Sequence, residues 1–211
     1  MNDIFFTADL HISHGNIIKY SNRPFLSKEE QELYNNGINF RPSRESIEYH
    51  DDTIIGNINK IVGKHDVLYL LGDFCFPSTY DVAKRYRDRI NCKNIHFIFG
   101  NHDRKKNIYS LFSSANDLSH IKIDNQSIVL CHYAMAIWNK SHYGTYHLYG
   151  HSHSSAESFM DEKFPNRKSM DVGIDNINKI YGQYRPISFD EVKTIMDSKS
   201  GFCFDHHTPD I

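Results

Sequence analysis

The chain has 211 residues, a formal net charge of −2 and a hydrophobic share of 39%. That length suits one domain with a full core, and the balanced charge excludes broad electrostatic attraction to nucleic acid while leaving room for a local basic groove. The 4 Cys lack CxxC pairing or regular spacing, which argues for a reduced, cytoplasmic protein with buried thiols rather than a disulfide framework.

The N-terminus enters a strand-like run with no basic leader or long apolar segment, so neither a signal peptide nor a membrane span is expected. Residues 3–9 read as a strand that ends on Asp9. Residues 10–43 read as an irregular polar insertion, with turn signals at Ser21-Asn22-Arg23-Pro24 and Asn35-Asn36-Gly37. An insertion of that length points to function. From Ser43 to Val62, the residues Ile47, Ile54, Ile55, Ile58, Ile61 and Val62 recur at helical spacing, with Ser43 and Ser46 as caps and Gly63 as the stop. A near-continuous apolar strand over 66–74 leads to Asp73, a helix is expected over 79–90, and a strand over 95–99 runs into Gly100. Strands are then predicted at 119–124, 127–133, 146–151 and 169–174, with a hairpin tip at Asp124-Asn125-Gln126. Ser188 and Glu191 have capping-box spacing for a last helix over 186–196, and 198–211 reads as a polar tail. This order predicts an α/β (α+β) protein whose β-α-β first half and antiparallel second half form two face-to-face sheets with helices outside, one domain over 1–197. Ligands in such architectures bind beyond the carboxyl ends of strands.

Five motifs fall at those ends: Asp9-Leu10-His11, Gly72-Asp73, Gly100-Asn101-His102-Asp103, Cys131-His132 and Gly150-His151-Ser152-His153. Singly, each has an ordinary explanation as an Asx-turn or a surface His. In series they supply oxygen and imidazole donors without thiolate, which suits two metal ions sharing one carboxylate and the hydrolysis of phosphate esters. Asp9 and His11, two apart, share a direction if the chain stays extended. In the third motif Asn101 offers a neutral oxygen, His102 a proton donor, and Asp103 a carboxylate able to fix the imidazole tautomer.

The motif order over about residues 4–175 resembles the calcineurin-like metallophosphoesterase superfamily. The runs from Asp9 to Ile18, Asn22-Arg23-Pro24-Phe25 and Ala134-Met135-Ala136-Ile137-Trp138 are similar to a small stand-alone bacterial and phage branch of it. The resemblance implies a four-layer α/β/β/α fold with Asp9, His11 and His153 holding one metal, Asn101, His132 and His151 the other, and Asp73 bridging. It also implies His102 near the scissile phosphate with Asp103 behind it. One departure is that Asp73 is followed by Phe74-Cys75-Phe76-Pro77 rather than a second Asp, which would give the pocket aromatic walls.

The expected activity is a dinuclear phosphoesterase acting on a small phosphomonoester or phosphodiester of nucleotide type. Metal-activated hydroxide attacks and His102 is the general acid. Mn²⁺ is the favoured ion, with Fe, Zn²⁺ or Ni²⁺ as alternatives. His14, Asn16 and Arg23 are candidate substrate contacts, Arg23 as a bidentate phosphate clamp. The segments 12–43 and 134–146 are expected to wall the cleft, and Tyr133, Trp138, Tyr143 and Tyr146 are candidates to stack a base. Arg104-Lys105-Lys106 reads as a solvated charge run, and Asp205-His206-His207 as an adventitious metal site. The competing readings are a nuclease acting on DNA or RNA ends, disfavoured by the charge, and a catalytically silent scaffold, disfavoured by the complete ligand set. No membrane partner is expected, and a homo-oligomer stays open.

Overall fold

A computed structural model describes residues 2–201. The polar tail beyond, with Cys203 and Asp205-His206-His207, lies outside the described residues. In chain order the elements are β1 (Ile4–Thr7), α1 (Gly15–Tyr20), α2 (Lys28–Asn35), α3 (Arg44–Ile61), β2 (Val67–Leu71), α4 (Tyr80–Arg87), β3 (Asn94–Ile98), α5 (Lys105–Ile108), β4 (Ser114–Asn116), β5 (Leu118–Ile123), β6 (Gln126–Cys131), β7 (Tyr146–Tyr149), α6 (Glu157–Lys163), β8 (Ser169–Asp171), α7 (Ile174–Tyr181), β9 (Ile187–Ser188) and α8 (Phe189–Asp197). None of the described helices is long and apolar enough to cross a membrane.

Two sheets form, β4-β3-β2-β1-β9 and β5-β6-β7-β8. Strand alternation builds two cores from the first of them. Phe5, Leu68, Leu70, Ile95 and Phe97 point to a cluster shared with Ile54, Ile55 and Ile58 of α3 and Ala83 of α4. Phe6, Leu71 and Ile98 point the other way, into a cluster shared with Ile128, Leu130, Leu148 and Met170 of the second sheet and Val192 and Met196 of α8. Two sheets packed face to face with helices outside is the expected fold class.

The second sheet departs from the expectation in a way that matters. Only β5 and β6 pair antiparallel; β6, β7 and β8 run parallel. So do β1, β2, β3 and β4 in the first sheet. Parallel strands deliver their carboxyl ends to one edge, so three loops from each sheet meet there. The insertion 10–43 also differs, because it contains α1 and α2. Ser27 caps α2 in a capping box with Glu30, a local signal masked by the insertion's polar composition. The cap of α3 at Ser43 and the capping box of α8 at Ser188 and Glu191 form as expected.

Candidate metal centre

The loops at this edge continue the sheet hydrogen bonding beyond the strands. Asp9 N donates to the Gly72 carbonyl at 3.0 Å, His11 N to that of Asp73 at 2.9 Å, and Gly150 N to that of His132 at 3.0 Å. The chain does not stay extended. Asp9, His11, Asp73, His151 and His153 all have left-handed backbones, with φ of 57°, 49°, 54°, 70° and 47°. Non-glycine residues adopt φ > 0 only a few per cent of the time, and such outliers gather at functional sites. The expected extended geometry at Asp9 and His11 is therefore replaced by alternating left-handed residues that aim both side chains into one cleft.

Glycine makes room at two decisive places. Gly72 has φ +93°, and a Cβ there would overlap His132 Nδ1. A Cβ on Gly150 would lie 2.5 Å from Asp9 Oδ2. The glycines of these motifs admit ligand side chains to the backbone.

The structure brings all seven predicted ligands together. Asp73 Oδ2 lies 3.5 Å from both His11 Nε2 and His132 Nε2. His132 donates its Nδ1–H to the Leu71 carbonyl at 2.8 Å, so its Nε2 carries a lone pair, and that lone pair sits 3.1 Å from Asn101 Oδ1. His151 Nδ1 lies 3.0 Å from the same oxygen. Donor atoms of Asp9, His11 and His153 lie within 4.8 Å of one another, as do those of Asp9, Asp73 and His132.

These donors fit divalent cations. Asp9 Oδ1 and His11 Nε2 are buried without a hydrogen-bond partner, an expensive state unless a cation completes it. Burial, with Asp171 and Asp73 nearby, pushes the Asp9 carboxyl well above the usual carboxylate range. Burial likewise holds the His11 and His132 imidazoles below theirs, which favours the neutral form a metal requires. Oxygen and imidazole donors suit Mn²⁺, Fe or Zn²⁺.

His102 reaches the cleft as expected, its ring centroid 5.4 Å from that of His11 and its main-chain N–H donating to Asp73 Oδ1 at 3.0 Å. Asp103 does not hold that imidazole. Its Oδ2 accepts the amides of Asp73 and Gly100, each at 2.8 Å, and its Oδ1 that of Phe74 at 3.2 Å. It is a clamp between two ligand loops, with burial pushing its carboxyl up to about 6. Arg23 is not placed to clamp phosphate: it is 1% exposed, and its guanidinium donors go to Asp175, the Asp9 and Leu10 carbonyls and His50. His14 lines the cleft. Asn16, on α1 two residues further, is not among the residues that line it.

The cleft measures about 660 Å³, walled by Ile17, Tyr20, Ser21 and Asn22 on one side and Ser152 to Ser155 on the other. The insertion thus forms one wall, through α1 and the turn after it. The segment 134–146 does not form the other: Trp138 donates its indole N–H to the Thr145 carbonyl at 2.8 Å, and Tyr146 its hydroxyl to Asp197 at 2.9 Å. These two aromatics pack the interior and cannot stack a base. Phe76 stands beside His14, ring centroids 4.8 Å apart, so the loop after Asp73 does present an aromatic face. Arg104, Lys105 and Lys106 are solvent-exposed, as expected of a charge run.

Two carboxylates escaped the sequence reading. Asp171, at the end of β8, accepts Ser152 Oγ at 2.8 Å and Ser154 N at 3.1 Å, pinning the His151–His153 loop. Asp175, on α7, accepts His153 Nδ1–H at 2.6 Å. Asp171 carried only a weak signal, an Asp inside the strand predicted over 169–174, which in the structure ends on it as β8. Asp175 carried none, because the partners that bring it to the site are distant in sequence.

Comparison with known proteins agrees with this architecture. The model of the calcineurin-like phosphoesterase superfamily domain matches residues 49–177, more than half of the chain and including five of the seven candidate ligands. An uncharacterized protein of Methanocaldococcus jannaschii is 28% identical over 199 residues, 93% of each chain. The solved structure of a protein of unknown function from Aquifex aeolicus shares the fold, with a TM-score of 0.64 at 20% identity over 92% of this chain and 100% of that one. The converging donors, the parallel strand ends that present them and the matched domain carry one conclusion: the chain belongs to the calcineurin-like phosphoesterase superfamily and is a metal-dependent phosphoric ester hydrolase.

Proposed function

We propose that the protein hydrolyses a small phosphate ester of nucleotide type, a diester or a monoester, at two divalent ions with Mn²⁺ favoured, and that His102 is the proton donor. One ion would be held by Asp9, His11 and His153, the other by Asn101, His132 and His151, with Asp73 between them. When bound, such a pair supplies positive charge against the phosphate oxygens and lowers the pKa of water to about 7.

The chain's own residues supply the rest. Left-handed Asp9, His11 and Asp73 and the Asp103 clamp hold the donors before substrate arrives, so little reorganisation remains for the reaction. His102 is exposed at the cleft floor, and no hydrogen bond engages its ring among the described residues. A ring N–H there is free to pass to the leaving oxygen, help worth about 10²–10⁴-fold. His14, with Nδ1 buried and unpartnered, is the remaining candidate for a substrate contact.

The observation that carries the substrate class is the lining. The cleft is of a size suited to a small ligand, and among the described residues no Lys or Arg lines it. A long nucleic acid gains its affinity from several Lys or Arg contacts to phosphates, which this cleft does not offer. The chain is read as one domain over 1–197. Its buried free thiols Cys75, Cys92 and Cys131 support a reducing, cytoplasmic setting.

The test compares bis-p-nitrophenyl phosphate, p-nitrophenyl phosphate and linear duplex DNA under Mn²⁺. Turnover of the small esters with little cleavage of DNA is expected. Efficient cleavage of duplex DNA that weakens steeply with salt would replace this reading with the nuclease.

A further inference from the structure

Arg23 and Asp175 stand 152 residues apart in the chain and meet beneath the metal cleft. Arg23 Nε donates to Asp175 Oδ1 at 2.9 Å and Nη2 to Oδ2 at 2.7 Å. The same Oδ2 accepts His153 Nδ1–H at 2.6 Å. Arg23 spends its other donors on the Asp9 carbonyl at 2.8 Å, the Leu10 carbonyl at 3.1 Å and His50 Nε2 at 2.8 Å. His50 in turn donates Nδ1–H to Asp51 at 2.9 Å, and Asp51 takes the Ser13 amide on both oxygens, at 2.9 and 3.1 Å. One buried network therefore reaches both ends of the loop from Asp9 to Ser13 and the His151–His153 loop.

Each bond has a consequence for a ligand. A carboxylate that accepts Nδ1–H fixes which imidazole nitrogen keeps its lone pair and turns that nitrogen toward the metal. For His153 the nitrogen left free is Nε2. Arg23 makes the Asp175 geometry bidentate and so restricts the carboxylate's rotation. Its bonds to the Asp9 and Leu10 carbonyls hold the left-handed turn that aims the Asp9 carboxylate, φ 57°. Burying a guanidinium is costly, and packed apolar residues often serve stability as well. Here the retained charge specifies geometry.

We propose that Arg23 and Asp175 are positioning residues of the metal centre: they set the His153 tautomer and the Asp9 turn, so that the Asp9–His11–His153 group binds its ion tightly, whereas the Asn101–His132–His151 group does not depend on them. The proposal rests on the two-ion reading of the site.

The test is equilibrium Mn²⁺ titration of the full chain by calorimetry, for the wild type, Asp175→Asn, Arg23→Lys, His153→Ala and the His153→Ala/Asp175→Asn double variant. ¹⁵N imidazole spectra of the metal-free proteins report the His153 tautomer. In Asp175→Asn one binding step should weaken by about 10–100-fold, the usual effect of removing such a partner, with the other step unchanged within about twofold and the His153 Nδ1–H signature lost. Arg23→Lys keeps the charge but not the fork and should weaken the same step. In the His153→Ala background, Asp175→Asn should add little to the loss. Unchanged affinities with an altered melting temperature, equal weakening of both steps, or fully additive losses would each overturn the proposal and leave the pair a structural ion bridge. A wild type that binds fewer than two ions would instead refute the two-ion reading.

Discussion

Replacing Gly72 by Ala adds one methyl group at the point where backbone and ligand approach most closely. The residue has φ +93°, and the new Cβ would overlap His132 Nδ1 and stand 2.9 Å from Gly100 Cα and N. The left-handed backbone alone costs an L-residue about 1–2 kcal/mol. Relieving the overlap requires the His132 ring to swing, which breaks its 2.8 Å bond to the Leu71 carbonyl and leaves a buried acceptor unsatisfied, about 1–3 kcal/mol more. The sum is about 2–5 kcal/mol. In a chain of this size each kcal/mol lowers Tm by about 2–4 °C, so a fall of roughly 4–20 °C is expected, with loss of Mn²⁺ affinity because His132 Nε2 no longer aims at the site. Gly56 is the control. It lies in α3, where an added Cβ meets nothing within 4 Å, and Ala is better there by about 1 kcal/mol. Differential scanning calorimetry and Mn²⁺ titration of both variants read the result. A Gly72→Ala protein that melts and binds metal like the wild type would refute the close-approach reasoning.

Three further outcomes follow from the same geometry. His102→Ala should leave metal content near normal and slow esters with poor alkoxide leaving groups by about 10²–10⁴-fold, but p-nitrophenyl esters less; equal losses for both would make His102 a phosphate-binding donor instead. Asp103→Asn should lower both melting temperature and metal occupancy, because the carboxylate clamps three backbone amides; a variant that is merely slow, with full metal, would return Asp103 to the role of imidazole partner. Burial lowers the His147 imidazole to about 4, although its bond to the Val129 carbonyl opposes the shift. A His depressed in the fold contributes stability above its unfolded pKa of 6.5 that is lost as pH falls toward 4, at most about 3 kcal/mol. Trp138, the single Trp, has its ring 5.4 Å from that of His147, so its fluorescence follows acid unfolding; His147→Gln should flatten this limb, and an unchanged limb would remove His147 as its cause.

The candidate ligands were legible because each lies within a few residues of a strand's carboxyl end, and a strand's apolar run announces its own end. Asp73 and His132 needed no tertiary knowledge to be found. The direction of β7 and β8 was not legible, since alternation and length are the same for parallel and antiparallel pairing. Asp103 was misread because its position next to His102 in sequence suggested a partnership that the turn prevents. Arg23 was found but given the wrong neighbour: an Arg before a Pro in a polar insertion looks exposed, and its charge partner, Asp175, lies in a helix not predicted from the sequence. The left-handed backbones of Asp9 and His11 have no residue-level signature, because they are imposed by the hydrogen bonds to the Gly72 and Asp73 carbonyls.

The central claim is that this edge holds two ions in contact with one carboxylate. Anomalous diffraction from crystals grown with Mn²⁺ tests it most directly. The expected map has two peaks roughly 3.5–4 Å apart, one among Asp9, His11 and His153 and the other among Asn101, His132 and His151, both against Asp73, and the Asp73→Asn protein should lose both. A single peak, or two peaks that do not share Asp73, would contradict the account.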